Sequence, residues 1–380
     1  MSRVLPAVLA LLLSGCGKGQ ADPAEIVMVF DRHSYAECDL ARLEESLRAS
    51  GAAALSSFDP YALFFPPGER PQSGSFGGGK AGAGLVLWRG GAAAVAVRVF
   101  PGSPAEAEGI RAGDVISSLD GQTVADLADP ELAAALYGSA GGAFRVKGEK
   151  RLGGAINSTL KRSLGGMPTV WGFNIPGSRA GYLRIVNFSR NTTPRLKAEM
   201  NDLLDRGAAR IIIDLRGNYG GSLEELSSSL ALFAPCAGPV FRAVSRHAGY
   251  SKVFSAGGPG PYAGLKPVIL VDGKTISRAE IFAAALREWG GASIVGGVTA
   301  GSVSATRGFR LKGGAALRLT VARLLTPAGL DLEGKGLAPD IILGPTDGPG
   351  AADKEGGVFR EFPAALASSD PVLLKVFKVP

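Results

Sequence analysis

Between residues 26 and 50, apolar side chains recur every three or four positions, with Leu40, Leu43 and Leu47 on one side, and this spacing predicts helix. Farther on the period changes. Short apolar runs at 85–88, 94–100 and 181–185 have a strand-like pattern. Helical spacing returns at 194–206, where Leu196, Met200, Leu203 and Leu204 share a side. Residues 211–215 (Ile-Ile-Ile-Asp-Leu) and 267–271 (Pro-Val-Ile-Leu-Val) are apolar almost throughout, as strands buried on both faces are. Helical segments at 223–233 and 278–289 follow them. Such alternation implies a mostly parallel sheet with helices on its faces. Functional loops then belong at the carboxyl ends of the strands.

Composition sharpens this picture at a few points. Glycine accounts for 55 of 380 residues, so turns and close backbone approaches outweigh long helices. The net charge of +7 comes from 41 basic and 34 acidic residues scattered along the chain. No basic stripe interleaved with aromatics is present, which argues against nucleic acid as a partner. Residues 66–80 are rich in Pro, Gly and Ser and have the character of a linker. No metal or nucleotide motif is present, so no cofactor is expected.

The first fifteen residues, MSRVLPAVLALLLSG, place Arg3 before an apolar stretch that is too short to span a bilayer as a mature helix. This is the shape of a secretory signal. It ends in Leu13-Ser14-Gly15-Cys16, which resembles the bacterial lipobox. The resemblance implies cleavage before Cys16 and a lipid on its thiol. Gly17 follows Cys16, without the Asp that often marks inner-membrane retention, so the expected location is the outer membrane, facing the periplasm. Cys38 and Cys236 remain, and their spacing leaves both a disulfide and two separate thiols open.

Gly82-Ala83-Gly84-Leu85, then Gly102-Ser103-Pro104-Ala105, then Gly109-Ile110-Arg111-Ala112-Gly113-Asp114-Val115-Ile116, then Asp120-Gly121 come in the order of a PDZ domain, which this stretch resembles. That resemblance implies a peptide strand added to a sheet edge. The residues Gly82, Ala83, Gly84 and Leu85 would take a chain-terminal carboxylate. Downstream, Asp214-Leu215-Arg216-Gly217-Asn218-Tyr219-Gly220-Gly221 is close to the D-L-R-x-N-x-G-G of the tail-specific, or C-terminal processing, serine peptidases. Residues 272–281 resemble the same family's S-A-S-E turn, and 295–302 its V-G-E-P-T-x-G-K loop. The D-P-Y segment at Asp59-Pro60-Tyr61 and residues 319–329 and 336–340 also match.

The family resemblance makes Ser277 the nucleophile, with Gly220, Gly221 and Arg278 as oxyanion candidates. Ser277 and Glu280 also form a capping box, and the pattern leaves both roles open for the one hydroxyl. Asp214 and Arg216 either serve the site or pair to hold the loop. The family's base lysine falls on Ser302 and its polar helper on Thr306. Arg307 stays protonated, and Lys312 precedes Gly313-Gly314 in an expected hairpin that turns it elsewhere. His33 and His247 are the two histidines left to consider as a base.

The expected organisation is a signal over 1–15, a tether and small N-terminal helical region over 16–75, an inserted PDZ-like β-rich domain over 76–150, an α/β peptidase core over 151–345, and a tail over 346–380. The expected function is PDZ-guided serine-type cleavage of exported polypeptides. The alternative is a non-catalytic peptide-binding lipoprotein, because Ser302 stands at the base position. Expected partners are a polypeptide or peptide C-terminus and, through Cys16, a membrane; a homo-oligomer is left open.

Overall fold

The computed structural model describes residues 22–69, 81–90, 93–127, 129–163, 168–342 and 365–367. The expected signal segment, Cys16 and most of the expected linker and tail lie outside the described residues.

The N-terminal region holds two helices where the apolar spacing predicted one. Helix α1 (Pro23–His33) starts at Asp22, whose side chain accepts the Ala24 N–H, and ends at Ser34 in extended backbone. Asp39 then accepts the Arg42 N–H and starts α2 (Leu40–Ser50). Each Asp satisfies a donor that a helix start leaves unbonded. A short strand β1 (Leu63–Phe65) follows. Ile26, Phe30, Leu43 and Leu47 pack against Leu317 and Leu319 of the core.

The next unit contains β2 (Ala81–Gly82), β3 (Leu85–Gly90), β4 (Ala93–Val99), the one-turn α3 (Pro104–Ala107), β5 (Val115–Leu119), β6 (Gln122–Thr123), α4 (Asp129–Leu136), β7 (Tyr137–Gly138), β8 (Ala143–Glu149) and β9 (Ala155–Lys161). Strands β3, β4, β5, β8 and β9 lie in that order in one sheet, with β6 beside β5, while β2 pairs with β7. The sheet therefore continues past residue 150. Leu87, Ala96, Ile116, Leu132, Phe144 and Val146 fill its interior.

The core sheet runs β10 (Val170–Asn174), β11 (Ala180–Ile185), β12 (Arg210–Asp214), β15 (Val268–Val271), β16 (Ser293–Gly296) and β19 (Ile341–Ile342). Only β10 is antiparallel to its neighbour. Alternation of side chains explains why its strands are apolar throughout. Ile211, Ile213, Ile269 and Ile294 face α5 (Thr192–Asp205), α6 (Leu223–Ala231) and α7 (Arg278–Glu288). Ile212, Val268, Leu270 and Val295 face the other way, where Trp171 and Tyr182 meet Val86 and Phe100 of the PDZ-like unit. The helices thus cover one face, and the inserted unit packs on the opposite one.

A second, antiparallel sheet joins β1, β13 (Gly238–Val244), β14 (Lys252–Ala256), β17 (Ser304–Arg310) and β18 (Ala316–Leu325). The β17–β18 hairpin turns at residues 312–314, as the Lys312-Gly313-Gly314 sequence predicted. In the tail, β20 (Ala365–Ala367) runs parallel to β3 and pairs with Leu87, Trp88 and Arg89.

Candidate active site

Strands β12, β15 and β16 are parallel neighbours, so the loops leaving their carboxyl ends come together. The loop after β12 is bonded to the turn after β15 at three points. Gly217 N–H donates to Asp272 Oδ1 at 2.9 Å, Thr275 Oγ1 donates to the Leu215 carbonyl at 3.0 Å, and Ile276 N–H donates to the Asn218 carbonyl at 2.8 Å.

Beneath the loop, Asp214 has no exposed side-chain surface and pairs with Arg184 Nη1 and Arg216 Nη2, each at 2.7 Å. Tyr182 OH donates to Asp214 Oδ2 at 2.7 Å. Burial by itself would raise the Asp214 carboxyl, but the two guanidiniums outweigh it and hold the group well below the usual carboxylate range. Of the two roles the sequence left for Asp214 and Arg216, their contacts are those of a loop brace. Arg184 and Tyr182 escaped sequence reading because their partner lies on the next strand, where Arg184 is directly opposite Asp214.

Ser277 ends this turn and starts α7. Its backbone has φ 64° and ψ −114°, and 6% of its surface is exposed. A non-glycine residue at this φ carries about 1–3 kcal/mol of strain. The surroundings hold it there: Glu280 Oε1 accepts the Ser277 N–H at 2.8 Å, and the Glu280 N–H donates to the Ser277 carbonyl at 3.0 Å. The Ser277 hydroxyl accepts from Arg278 Nη1 at 2.8 Å.

Glu280 is fully buried and joins two loops. Besides Ser277 it accepts from Thr299 Oγ1 at 2.5 Å, Gly301 N–H at 2.7 Å and Ser302 N–H at 2.9 Å. Its carboxyl is raised by burial, and these donors pull it partly back. The backbone nitrogens of Ser277 and Ser302 therefore meet on one oxygen, Oε1. Ser302, the residue that the resemblance puts at the base position, thus lies beside the turn of Ser277.

Ser302 itself is half-buried, and its hydroxyl lies near enough to Tyr61 to work against the rise of that phenol. Tyr61 OH donates to Glu333 Oε1 at 2.6 Å, and burial first, then this carboxylate, push the phenol up to about 12. Glu333 Oε2 in turn accepts from Val303 N–H and Ser304 Oγ. The D-P-Y segment reaches the site because Asp59 accepts both the N–H and the hydroxyl of Thr320 on β18. The motif was visible in the sequence; its contact with Ser302 was not.

Other sequence candidates fall elsewhere. Thr306 is exposed on β17, opposite Thr320. His33 stacks on Phe309 and its Nδ1 is 2.6 Å from Tyr250 OH; His247 packs edge-on to the same tyrosine. The nitrogen bonded to Ser277 Oγ belongs to a guanidinium, which is a donor and not a base. Gly220 N–H is taken by Asn218 Oδ1 at 2.8 Å, which leaves the Gly221 and Arg278 N–H groups of the oxyanion candidates. Gly220 lies so close that a Cβ on it would come within 3.1 Å of Ser277 Cβ. Cys38 and Cys236 are free thiols, which answers the disulfide question in the negative.

In the PDZ-like unit, residues 81–85 are buried. Gly82 exchanges both backbone hydrogen bonds with Ser163, while the Ala83 and Gly84 carbonyls accept from Ala105 and Phe100. The free edge of β3, where a peptide strand would add, is paired with β20.

Comparison with known proteins agrees with this geometry. The sequence profile of peptidase family S41 matches residues 179–343, and that of the PDZ domain matches residues 95–148. A carboxyl-terminal-processing protease of Picosynechococcus sp. is 30% identical over 318 residues, spanning 82% of this chain and 76% of the relative. Carboxy-terminal processing protease CtpA of Bacillus subtilis is 31% identical over 246 residues, spanning 64% of this chain and 52% of the relative. The structure of a photosystem II D1 C-terminal processing protease superposes with a TM-score of 0.53 at 25% identity, covering 86% of this chain and 93% of that one. The chain belongs to the carboxyl-terminal-processing serine proteases of peptidase family S41.

Proposed function

We propose that this chain cleaves exported polypeptides at Ser277, with the PDZ domain receiving the substrate's C-terminal segment. The observation that carries the reading is the left-handed backbone of Ser277 at the start of α7, beside the Gly220–Gly221 loop. Stored strain at one polar residue, over-determined by buried Glu280, marks a functional position. Ser277 Oγ would attack the peptide carbonyl, and the developing oxyanion would take the Gly221 and Arg278 N–H groups at the positive end of α7. The tetrahedral intermediate would break its C–N bond and expel the C-terminal fragment as an amine carrying the proton lost from Oγ, and water would then hydrolyse the acyl-enzyme to free Ser277 and a carboxylic acid.

With serine at the lysine position, the proton on Oγ has no side-chain base bonded to it among the described residues. The expected turnover is therefore low. In S302K, an amine beside Glu280 restores a base, and cleavage of an unfolded substrate should rise at least tenfold, the low end for a positioned general base. It should vanish in S302K/S277A. Replacing His33 or His247 by alanine should leave the rate unchanged, since both are engaged around Tyr250.

A second reading is a peptide-binding protein without turnover, favoured by the guanidinium on Ser277 Oγ. Robust wild-type cleavage that S277A abolishes would reject it. For location, we propose export through residues 1–15 and lipidation of Cys16, supported by the Leu13-Ser14-Gly15-Cys16 sequence. Cells fed a tagged fatty acid should label the wild type and not C16S; equal labelling would reject the anchor.

A further inference from the structure

Arg278 is a cation placed beside Ser277 without an ion pair among the described residues. It stands where the family's S-A-S-E turn has alanine, so its side chain is an addition to that turn. Nη1 donates to Ser277 Oγ at 2.8 Å, while Nε is buried with no hydrogen-bond partner. Burial pulls the guanidinium down to about 10, and the opposing charge that it feels is Glu224. Glu224 does not reach it as an ion pair: its Oε2 accepts from Ser222 Oγ at 2.7 Å at the start of α6. Removing a charge from water without a partner is costly, and such a group retains its charge where an anion completes it.

A carboxylate is the anion that matches this group once the covered Nε is opened to it. A guanidinium presents two parallel donors along its Nε–Nη2 edge, the spacing of a carboxylate. The other terminal nitrogen, Nη1, is already on Ser277 Oγ. A carbonyl carbon ready for attack lies about 3–3.5 Å from that oxygen. A carboxylate on the Arg278 fork is therefore within one residue of the bond presented to Ser277.

We propose that Arg278 makes this cleft acid-selective, its Nε–Nη2 edge binding a carboxylate that the bound polypeptide carries next to the bond facing Ser277. The carboxylate is an Asp or Glu side chain or the α-carboxylate of a chain that ends there; the chemistry is the same. The inference rests on the reading that this cleft receives polypeptide, but it does not require turnover.

The test is binding to the full chain in an S277A background, so that no peptide is consumed. Fluorescent peptides of one apolar sequence carry a single Asp walked along their length, each with an Asn counterpart. A second series compares free-acid with amidated ends at successive truncations. One or two adjacent Asp positions should bind about tenfold tighter than Asn, the scale of one charge-assisted hydrogen-bond pair. If terminal carboxylates are the source, the gain should appear instead in one truncation of the second series. The preference should disappear in S277A/R278M and persist in part in S277A/R278K, which keeps the charge and reports on folding. An acid-to-amide ratio near one at every position, or a ratio that R278M leaves intact, overturns the proposal. Acidic selectivity without hydrolysis by the wild type would retain it and reject the peptidase reading. Hydrolysis without acidic selectivity would do the reverse.

Discussion

At the scale of single residues, buried carboxylates organise the site from below. Asp214 has no exposed side-chain surface, and its partner Arg184 is 4% exposed. Replacing Asp214 by Asn leaves two guanidiniums short of their counter-charge, one of them buried, and is expected to cost about 3–5 kcal/mol. The pH dependence follows from the direction of the shift. The native state holds this carboxyl below its ordinary value, so its stabilisation is complete above the ordinary carboxylate range near pH ~3.9. It is lost as pH falls, because the unfolded chain then binds a proton that the native chain still refuses. Urea melts of D214N should show lower stability at neutral pH and a shallower acid decline than the wild type. Equal curves would show that the pairs brace nothing. Glu280 has the opposite shift, raised by burial, so its ionised form is held by donors from both loops against the cost of burial.

At the scale of elements, the exposed edge of one strand decides whether peptide binding is open. Strand β3 is the edge of the PDZ sheet unless β20 is counted, and residues 365–367 pair with it in parallel register. An unpaired edge offers donors and acceptors to any extended chain. Removing residues 343–380 should therefore speed hydrogen exchange at residues 87–89 and raise affinity for free-acid peptides several-fold. Unchanged exchange at those amides would show that the tail does not protect them. The tail was expected as a segment rich in Gly and Pro, and nothing in Ala365-Leu366-Ala367 announces a strand; its partner is almost 280 residues away in sequence. The split between α1 and α2 is a contrasting case. The sequence reading took 26–50 as one helical stretch, and the break appears only in the structure, where Asp39 caps a second helix.

At the scale of the whole molecule, the PDZ unit is built onto the face of the core sheet that the helices leave open. Val86 and Phe100 meet Trp171 and Tyr182 there, and Arg98 pairs with Glu199 of α5 at 2.6 Å. Phe100 is 3% exposed, and truncating it to alanine opens a cavity between the two units. The expected cost is about 3–5 kcal/mol. Calorimetry should then resolve two transitions or a lower joint one, and limited proteolysis should cut between the units. An unshifted transition would mean that the units are coupled elsewhere. This contact covers the back of the strands whose loops form the candidate site, so the PDZ sheet and the core sheet, separate in their hydrogen bonding, are joined there through side chains.

Sequence alone determined most of the core's strands and helices and the motifs at their ends. Apolar runs with a period of two or of three to four reflect which face each residue buries, and that is a local property. The motifs around Asp214, Ser277 and Thr299 were legible through their resemblance to a known family. What they do to one another was decided by the sheet. Parallel pairing of β12, β15 and β16 brings residues 214–221, 272–277 and 297–302 together, and only then does Glu280 hold Ser277 and Ser302 on one oxygen. The same folding put the Arg278 guanidinium on the Ser277 hydroxyl while Glu280 keeps the capping box, bonded the Gly220 N–H within its own loop, and brought Tyr61 near Ser302. Hydrogen bonds need partners within about 3 Å, and residues far apart in the chain reach that distance only through tertiary packing.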